Sequence, residues 1–573
     1  MAWSATCAGQ RIDATDRLYL AEAVPTRIVW GARDPIIPAR HGEDARNHIP
    51  GSRFEVFEEV GHLPQVEAPL RLPCWPGKAA ASAVRAVGRG YPGHMATARE
   101  VLVPPLSLER MRGLIDPADW RRLEASLRMG RSLLAGRELW NVNSTASGGG
   151  VAEMLWSWVG LARGLDIAMR WLTISGTPEF FATTKRLHNR LHGEDGDGGE
   201  LGESAREAYE RVSRANAEAV LESLGPRDVI FLHDPQTAGL IPHIAGTGRT
   251  VVWRCHIGAD EVNEFSRAGW DFLEPYITGA DACVFSREVY VPDCCRESGM
   301  LTAIVPPSID ALSPKNQEME KGQVEAILRH AGLLTGDRRD GDLATFTRPE
   351  GGSARVERRC EVITNGFLPD ADTPLVAQVS RWDRLKDPVG VMRGFAAALP
   401  GEDGAHLVLA GPNLGSVFDD PDGVAVLREV EEAWRGLAPP VRNRVHLACL
   451  PMEDLEENGA IVNALQRQAT IVAQKSLKEG FGLTVTEAMW KARPVIASAT
   501  GGIRDQIVDG VTGLLLPDPF DLEAFGAAML SLLEAPARAR QIGKAAHESV
   551  RKSFLENRHT LQYVDLLGHL LAK

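Results

Sequence analysis

A chain of 573 residues, 44% apolar and 24% charged, has enough material for two or three globular domains. Its formal net charge of -13 sets up a field that repels nucleic acid and anionic membrane surfaces, so any phosphate-bearing ligand must be met by a local cationic cluster. The eight cysteines show neither a CxxC pair nor metal-ligand spacing and read as reduced thiols, and no cluster of Asp or His points to a metal. The opening MAWSATCAGQRIDATDR lacks the basic-then-apolar pattern of a signal peptide, and no apolar run is long enough to span a bilayer. A cytoplasmic protein without membrane or nucleic-acid partners is the expectation; a homo-oligomer is left open.

Residues 1–75 hold two strand-like runs, TRIVW and RFEVFEEV, each followed by a turn-rich stretch. Residues 76–95 are rich in Gly and Ala without apolar periodicity and read as a linker. From 96 to 310 apolar strands alternate with helical patterns: LWNVN, a helix from Val151, AMRWLTIS, DVIFLHD, TVVWRCHI, ACVFS and TAIVPP. Within this stretch HGEDGDGGELGES, at 192–204, is acidic and Gly-rich and reads as a mobile loop.

From 311 to 573 a second alternating series follows, with PLVAQVSR, HLVLAGP, VHLACL, TIVAQKS and PVIASA as its strands. The span 335–372 interrupts it as an insertion, a hairpin with Gly351 and Gly352 at its turn. Tyr563, Leu566, Leu567, Leu570 and Leu571 share one helical face, which should dock on a neighbouring domain. The pattern implies an α/β fold with two doubly wound parallel sheets in series. Ligands in such sheets bind beyond the carboxyl ends of the strands, so the cleft between the domains is the expected site.

A ligand that carries a diphosphate and several hydroxyls needs cations for its phosphates, acceptors for its hydroxyls, and backbone amides where charge develops. In VSRWDRLKDP, Arg381 and Lys386 follow a strand and can converge on a diphosphate. A solvated surface pair would look the same, so the pair alone decides little. In EGFGLTVTEAMWKARP, Glu479 ends a strand-to-helix turn and Glu487 lies on the helix, while Gly480 and Gly482 allow close backbone approach. Together with Phe481 and Leu483 they place free amides at a helix start, facing an anion.

This stretch, with Arg381 and Lys386 upstream and GGIRDQIVDGVTGLLLP downstream, resembles the retaining glycosyltransferases of family four. The resemblance covers about residue 100 to the end, except 335–372. It implies the GT-B arrangement of two facing Rossmann-like domains, an acceptor domain at 96–310 and a nucleotide-sugar donor domain at 311–573. It also implies contact of Glu479 with the donor sugar and of Glu487 with the ribose.

The N-terminal half narrows the family. In LWNVNSTASGGGVAEML the run Gly148, Gly149 and Gly150 can bring backbone amides toward phosphate or sugar oxygens. FLHDPQ puts His233 and Asp234 at a strand end, and WRCHI does the same for His256. With VPPSIDALSPKN these segments resemble the trehalose synthases, which transfer glucose from a nucleoside diphosphate glucose to glucose. By that resemblance Asp234 holds the acceptor, His256 lies near the reacting carbon of the donor glucose, and the reaction proceeds by front-face attack without a cofactor. A trehalose phosphorylase of the same family is the alternative.

WGARDPIIPARHG and EEVGHLPQVEAP resemble the C-terminal end of α/β-hydrolases, with Asp34 and His62 in the places of the triad acid and base. Only 33 residues precede Asp34 and no GxSxG elbow occurs, so the segment reads as a hydrolase remnant without a nucleophile. The sequence does not choose between a docking module, a gene rearrangement and a misplaced start codon.

Overall fold

The computed structural model describes residues 98–146, 149–336, 341–401, 404–414 and 421–572, together with short strands at 5–6, 9–10, 27–31, 53–57 and 84–86. The chain divides into two compact units, Met1–Ala81 and Ser82–Lys573. In the first, Arg27–Gly31 and Arg53–Phe57 pair in parallel, Arg27 opposite Arg53 and Gly31 opposite Phe57. Asp34 and His62 lie outside the described residues.

The second unit holds two sheets. The elements of the first that matter here are β1 (Val84–Ala86), β2 (Arg99–Val101), α1 (Pro117–Leu133), β3 (Leu139–Asn143), α2 (Gly150–Gly164), β4 (Met169–Thr173), α3 (Pro178–Leu191), β5 (Val229–His233), β6 (Thr250–Cys255), β7 (Ala282–Phe285) and β8 (Leu301–Ile304). The sheet runs β8-β7-β6-β5-β3-β4-β2-β1, with every strand in one direction except β2, which pairs antiparallel with both β4 and β1. Every residue of β3, β5 and β7 is buried, as a sheet covered on both faces requires. The order reverses between β3 and β5, which opens a crevice at their carboxyl ends.

The second sheet is built from β9 (Glu361–Ile363), β10 (Leu375–Val379), β11 (His406–Pro412), β12 (Val445–Leu450), β13 (Ile471–Gln474), β14 (Val495–Ser498) and β15 (Leu514–Leu516). It runs β9-β12-β11-β10-β13-β14-β15, parallel except for β9, and reverses between β10 and β13. The helices α4 (Leu455–Gln468) and α5 (Leu483–Trp490) follow β12 and β13.

One stretch differs from the sequence expectation, and a second holds the expected hairpin and adds a strand to it. The loop at 192–204, expected to be mobile, is fastened to α3: Arg186 pairs with Asp197 at 2.6 Å and donates to the Glu200 carbonyl at 2.7 Å, and Arg190 donates to the Gly199 carbonyl at 2.9 Å. The Arg186 guanidinium, helped by the Gly199 amide, holds the Asp197 carboxyl down at about 2. Glycine and acidic residues gave a disorder-like composition, but two arginines one turn apart on a neighbouring helix satisfy them. In the span 335–372, Thr345–Thr347 and Ser353–Arg355 form an antiparallel hairpin with Gly351 at φ +96° in its turn, and the span then supplies β9 to the edge of the second sheet.

The last helix, α6 (Glu556–Leu571), returns to the first half and packs on α1. Tyr563, Leu566 and Leu567 are buried there with Leu139, Leu155 and Trp158, and Trp158 stacks on Tyr563 at 4.4 Å between centroids. No helix among the described residues is long and apolar enough to cross a membrane.

Candidate active site

The carboxyl ends of β5 and β6 present His233, Asp234 and His256. His233 Nδ1 lies 3.1 Å from His256 Nε2 and its Nε2 lies 3.0 Å from Asn141 Oδ1, so the three side chains form a buried chain. Burial drives both imidazoles well below their ordinary range, so both are neutral at neutral pH. Asp234 stands at φ +62°, where an L side chain is strained by roughly 1–3 kcal/mol. The strain aims its carboxylate back at the next strand, where Oδ1 accepts the His256 backbone N–H at 2.8 Å. Burial pushes this carboxyl up to about 6.

On the second sheet, the residues after β10 and β13 meet. Lys386 Nζ is 2.5 Å from Glu479 Oε2, which also accepts from Ser476 Oγ at 3.2 Å. Arg381 is half-exposed and pairs with Asp383 at 3.3 Å. Below them Lys475, fully buried, is held by Asp387 and by the Pro519 carbonyl at 2.6 Å. The turn 479–482 is packed from behind: a Cβ on Gly501, whose φ is +52°, would fall 1.6 Å from the Glu479 carbonyl oxygen. Gly482 adopts φ +87° and caps α5. Phe481 is buried against Phe554, and its carbonyl accepts from Gln506 at 2.6 Å, so its ring belongs to the core.

The two halves touch at this turn. A Cβ on Gly480 would stand 3.4 Å from both His192 Cε1 and the His256 carbonyl, and Tyr290 donates to the Gly480 carbonyl at 2.7 Å. Arg287 binds Asp505 through two bonds of 2.5 and 3.0 Å and also engages Asp260, which accepts from the Gly501 amide at 2.7 Å. The start of α2 meets the start of α5, where a Cβ on Gly150 would lie 2.8 Å from Leu483 Cδ1. Space is open around Gly149. Gly148 lies outside the described residues. Two helix N-termini therefore face one crevice, where backbone amides favour an anion.

Glu487 is buried, one turn into α5, with 2% of its side chain exposed. Its Oε1 is 2.9 Å from Lys315 Nζ, and its Oε2 is buried without a partner.

Sequence reading missed His188 on α3 and His192 just past its end, with rings 4.9 Å from each other. Burial lowers both; the charges of Arg381 and Lys386 also bear on His188, and Glu479 pulls His192 back up only to about 4. It also missed Arg287, Tyr290 and Lys315. Each is an isolated polar residue in the chain and acquires meaning only from a partner in the other half; the Ser-Pro-Lys-Asn run around Lys315 was the available signal.

Residues 141–292 match the family described as trehalose synthase, N-terminal domain, and residues 455–549 match glycosyl transferases group 1. A trehalose synthase of Pyrococcus horikoshii is 35% identical over 441 residues, 76% of this chain and 91% of that protein. One from Rubrobacter xylanophilus is 34% identical over 455 residues, 79% and 95%. The solved α,α-trehalose-phosphate synthase (UDP-forming) of Burkholderia vietnamiensis superposes with a TM-score of 0.56 at 16% identity, over 76% of this chain and all of that one, which fixes the GT-B fold. With these matches spanning both halves of the crevice, the chain belongs to the trehalose synthase family and is a glycosyltransferase acting in trehalose metabolism.

Proposed function

We propose that the chain transfers glucose from a nucleoside diphosphate glucose to free glucose with retention of configuration, forming trehalose. The observation that carries this reading is the placing of the Lys386 and Glu479 pair, through Gly480, against His256 and the strand end that bears Asp234.

In this reading Arg381, Lys386 and the amides at the starts of α2 and α5 hold the diphosphate. Glu479 accepts from hydroxyls of the donor glucose, Glu487 from the ribose, and Asp234 from the acceptor. The leaving phosphate takes the proton of the attacking hydroxyl as the bond from the anomeric carbon to the phosphate oxygen breaks. Attack from the face the phosphate vacates keeps the α configuration, and contact between the halves excludes water.

The test is proton NMR of mixtures holding glucose and one of several nucleoside diphosphate glucoses. The expected product is the α,α-1,1-linked disaccharide with release of nucleotide. A β linkage overturns retention. Product made only from glucose 1-phosphate assigns the chain as a phosphorylase, and strict dependence on glucose 6-phosphate replaces the acceptor.

A further inference from the structure

Lys315 sits in the segment that joins the two halves, and its backbone is fixed to the donor half. Asn463 on α4 donates to the carbonyls of Pro314 at 3.0 Å and Gln317 at 2.8 Å. Trp490 and Lys491, at the end of α5, donate to the carbonyl and the side-chain oxygen of Asn316 at 3.1 and 2.8 Å. A Cβ on Gly459 would stand 3.2 Å from the Lys315 amide, so α4 leaves this turn little room to move.

From that fixed turn the ammonium reaches two carboxylates on different halves: Glu487 Oε1 at 2.9 Å, and Glu153 on the first turn of α2 at 3.0 and 3.3 Å. Three donors on one nitrogen suit this division, since an ammonium carries no acceptor and can serve two partners at once. Glu487 is left with one oxygen engaged and one buried and unpartnered, an arrangement that costs free energy unless a donor arrives. A buried carboxylate with one free acceptor beside a sugar-nucleotide crevice is shaped to receive a hydroxyl.

We infer that Lys315 is a positioning residue of the donor site: it holds Glu487 in place as an acceptor for a ribose hydroxyl and, through Glu153, ties that acceptor to the helix of the other half. This rests on the ribose role of Glu487 in the reading above. Burial alone raises the Glu487 carboxyl; Lys315 and, more weakly, Lys491 oppose it, while Glu153 adds to it. Without Lys315 the two carboxylates would repel and the Glu487 carboxyl would be pushed up further, toward the form that is the poorer acceptor.

The experiment compares wild type, Lys315→Met, Glu487→Gln and the double variant on nucleoside diphosphate glucose and on the same donor lacking a ribose hydroxyl. Wild type should use the deoxy donor at least tenfold less well in kcat/KM. Glu487→Gln and Lys315→Met should each lose most of that discrimination, with the change carried by donor KM and the KM for glucose little altered. The double variant leaves only Glu153 without its lysine, on a side chain that is half exposed, and it should lose no more than Glu487→Gln alone. If Glu487→Gln removes the discrimination and Lys315→Met keeps it, the Lys315 role is overturned while the ribose role stands. If wild type does not discriminate, both are overturned. A double variant that loses clearly more than Glu487→Gln alone would show that Lys315 acts apart from Glu487 and would overturn the inference; this comparison needs no folded Lys315→Met.

Discussion

Lys386 Nζ and Glu479 Oε2 stand 2.5 Å apart across the ends of β10 and β13, with Ser476 sharing the same carboxylate oxygen. Only 17% of the lysine and 10% of the glutamate side chain reach solvent, so each holds the other in place. In the proposed reading a cation for phosphate and an acceptor for sugar hydroxyls are thereby fixed at one distance before substrate arrives.

Lys386→Ala should therefore cost more than one phosphate contact, since it also frees Glu479. A hydrogen bond to a charged group is worth roughly 1.5–3 kcal/mol, about ten- to 150-fold in donor kcat/KM, and loss at the upper end is expected. Glu479→Gln should lower kcat with a smaller effect on donor KM, because misplacing the sugar disturbs the transition state more than binding. Steady-state kinetics separate the two, and wild-type values in both variants would move the donor site elsewhere.

Asp234 offers a test by pH. Its folded-state value of about 6 lies above the ordinary 3.8, so the fold favours the protonated form. The stability it contributes is complete below the unfolded value and is lost as pH rises through about 6. Function runs the other way: an acceptor hydroxyl needs the carboxylate, so kcat/KM for the acceptor should fall as pH drops through about 6. Asp234→Asn should lose transfer at every pH. It should also gain more in melting temperature over wild type at pH 8 than at pH 5, because it removes a charge the fold disfavours; the reverse order would contradict the assigned burial.

Both sheets were legible because strands such as LWNVN and VHLACL are apolar throughout and alternate with helical patterns. Glu479 and Lys386 could be singled out for the same reason: each lies just after a strand end, where α/β sheets place ligands. What escaped was whatever depends on partners far away in sequence. His192 meets Gly480, and Arg287 meets Asp505, only because two separately folded sheets face each other. The loop at 192–204 was misread for a related cause, since its composition says nothing of Arg186 and Arg190 waiting on α3.

Gly501 tests whether the Glu479 turn must be packed as tightly as it is. An alanine Cβ would fall 1.6 Å from a backbone oxygen, and at φ +52° the residue is strained as well. The dihedral costs roughly 1–2 kcal/mol and the overlap a further ~1–3 kcal/mol. Gly501→Ala should lower the melting temperature and donor kcat/KM together. Gly149→Ala, at extended φ with open space around the added carbon, should melt as wild type does. Thermal melts of the two decide it.

Arg287 and Asp505 test the contact between the halves. The arginine side chain is 9% exposed and bound to Asp505 by two bonds as well as to Asp260, whereas Asp505 is 45% exposed. Screening at the exposed aspartate keeps the pair below the ~3–5 kcal/mol that breaking a fully buried pair costs, and about 1–2 kcal/mol is the expected coupling in a double-mutant cycle. Because Arg287 also faces Tyr290, 5.1 Å from its ring, and Tyr290 holds the Gly480 carbonyl, loosening it should disturb both substrates. Arg287→Ala should raise the KM for donor and for acceptor and lower kcat, with more hydrolysis of the donor to free glucose as water enters. Asp505→Asn should show the same pattern in weaker form. If donor hydrolysis stays at the wild-type level while KM rises for one substrate alone, Arg287 serves that substrate directly and the halves are held together elsewhere.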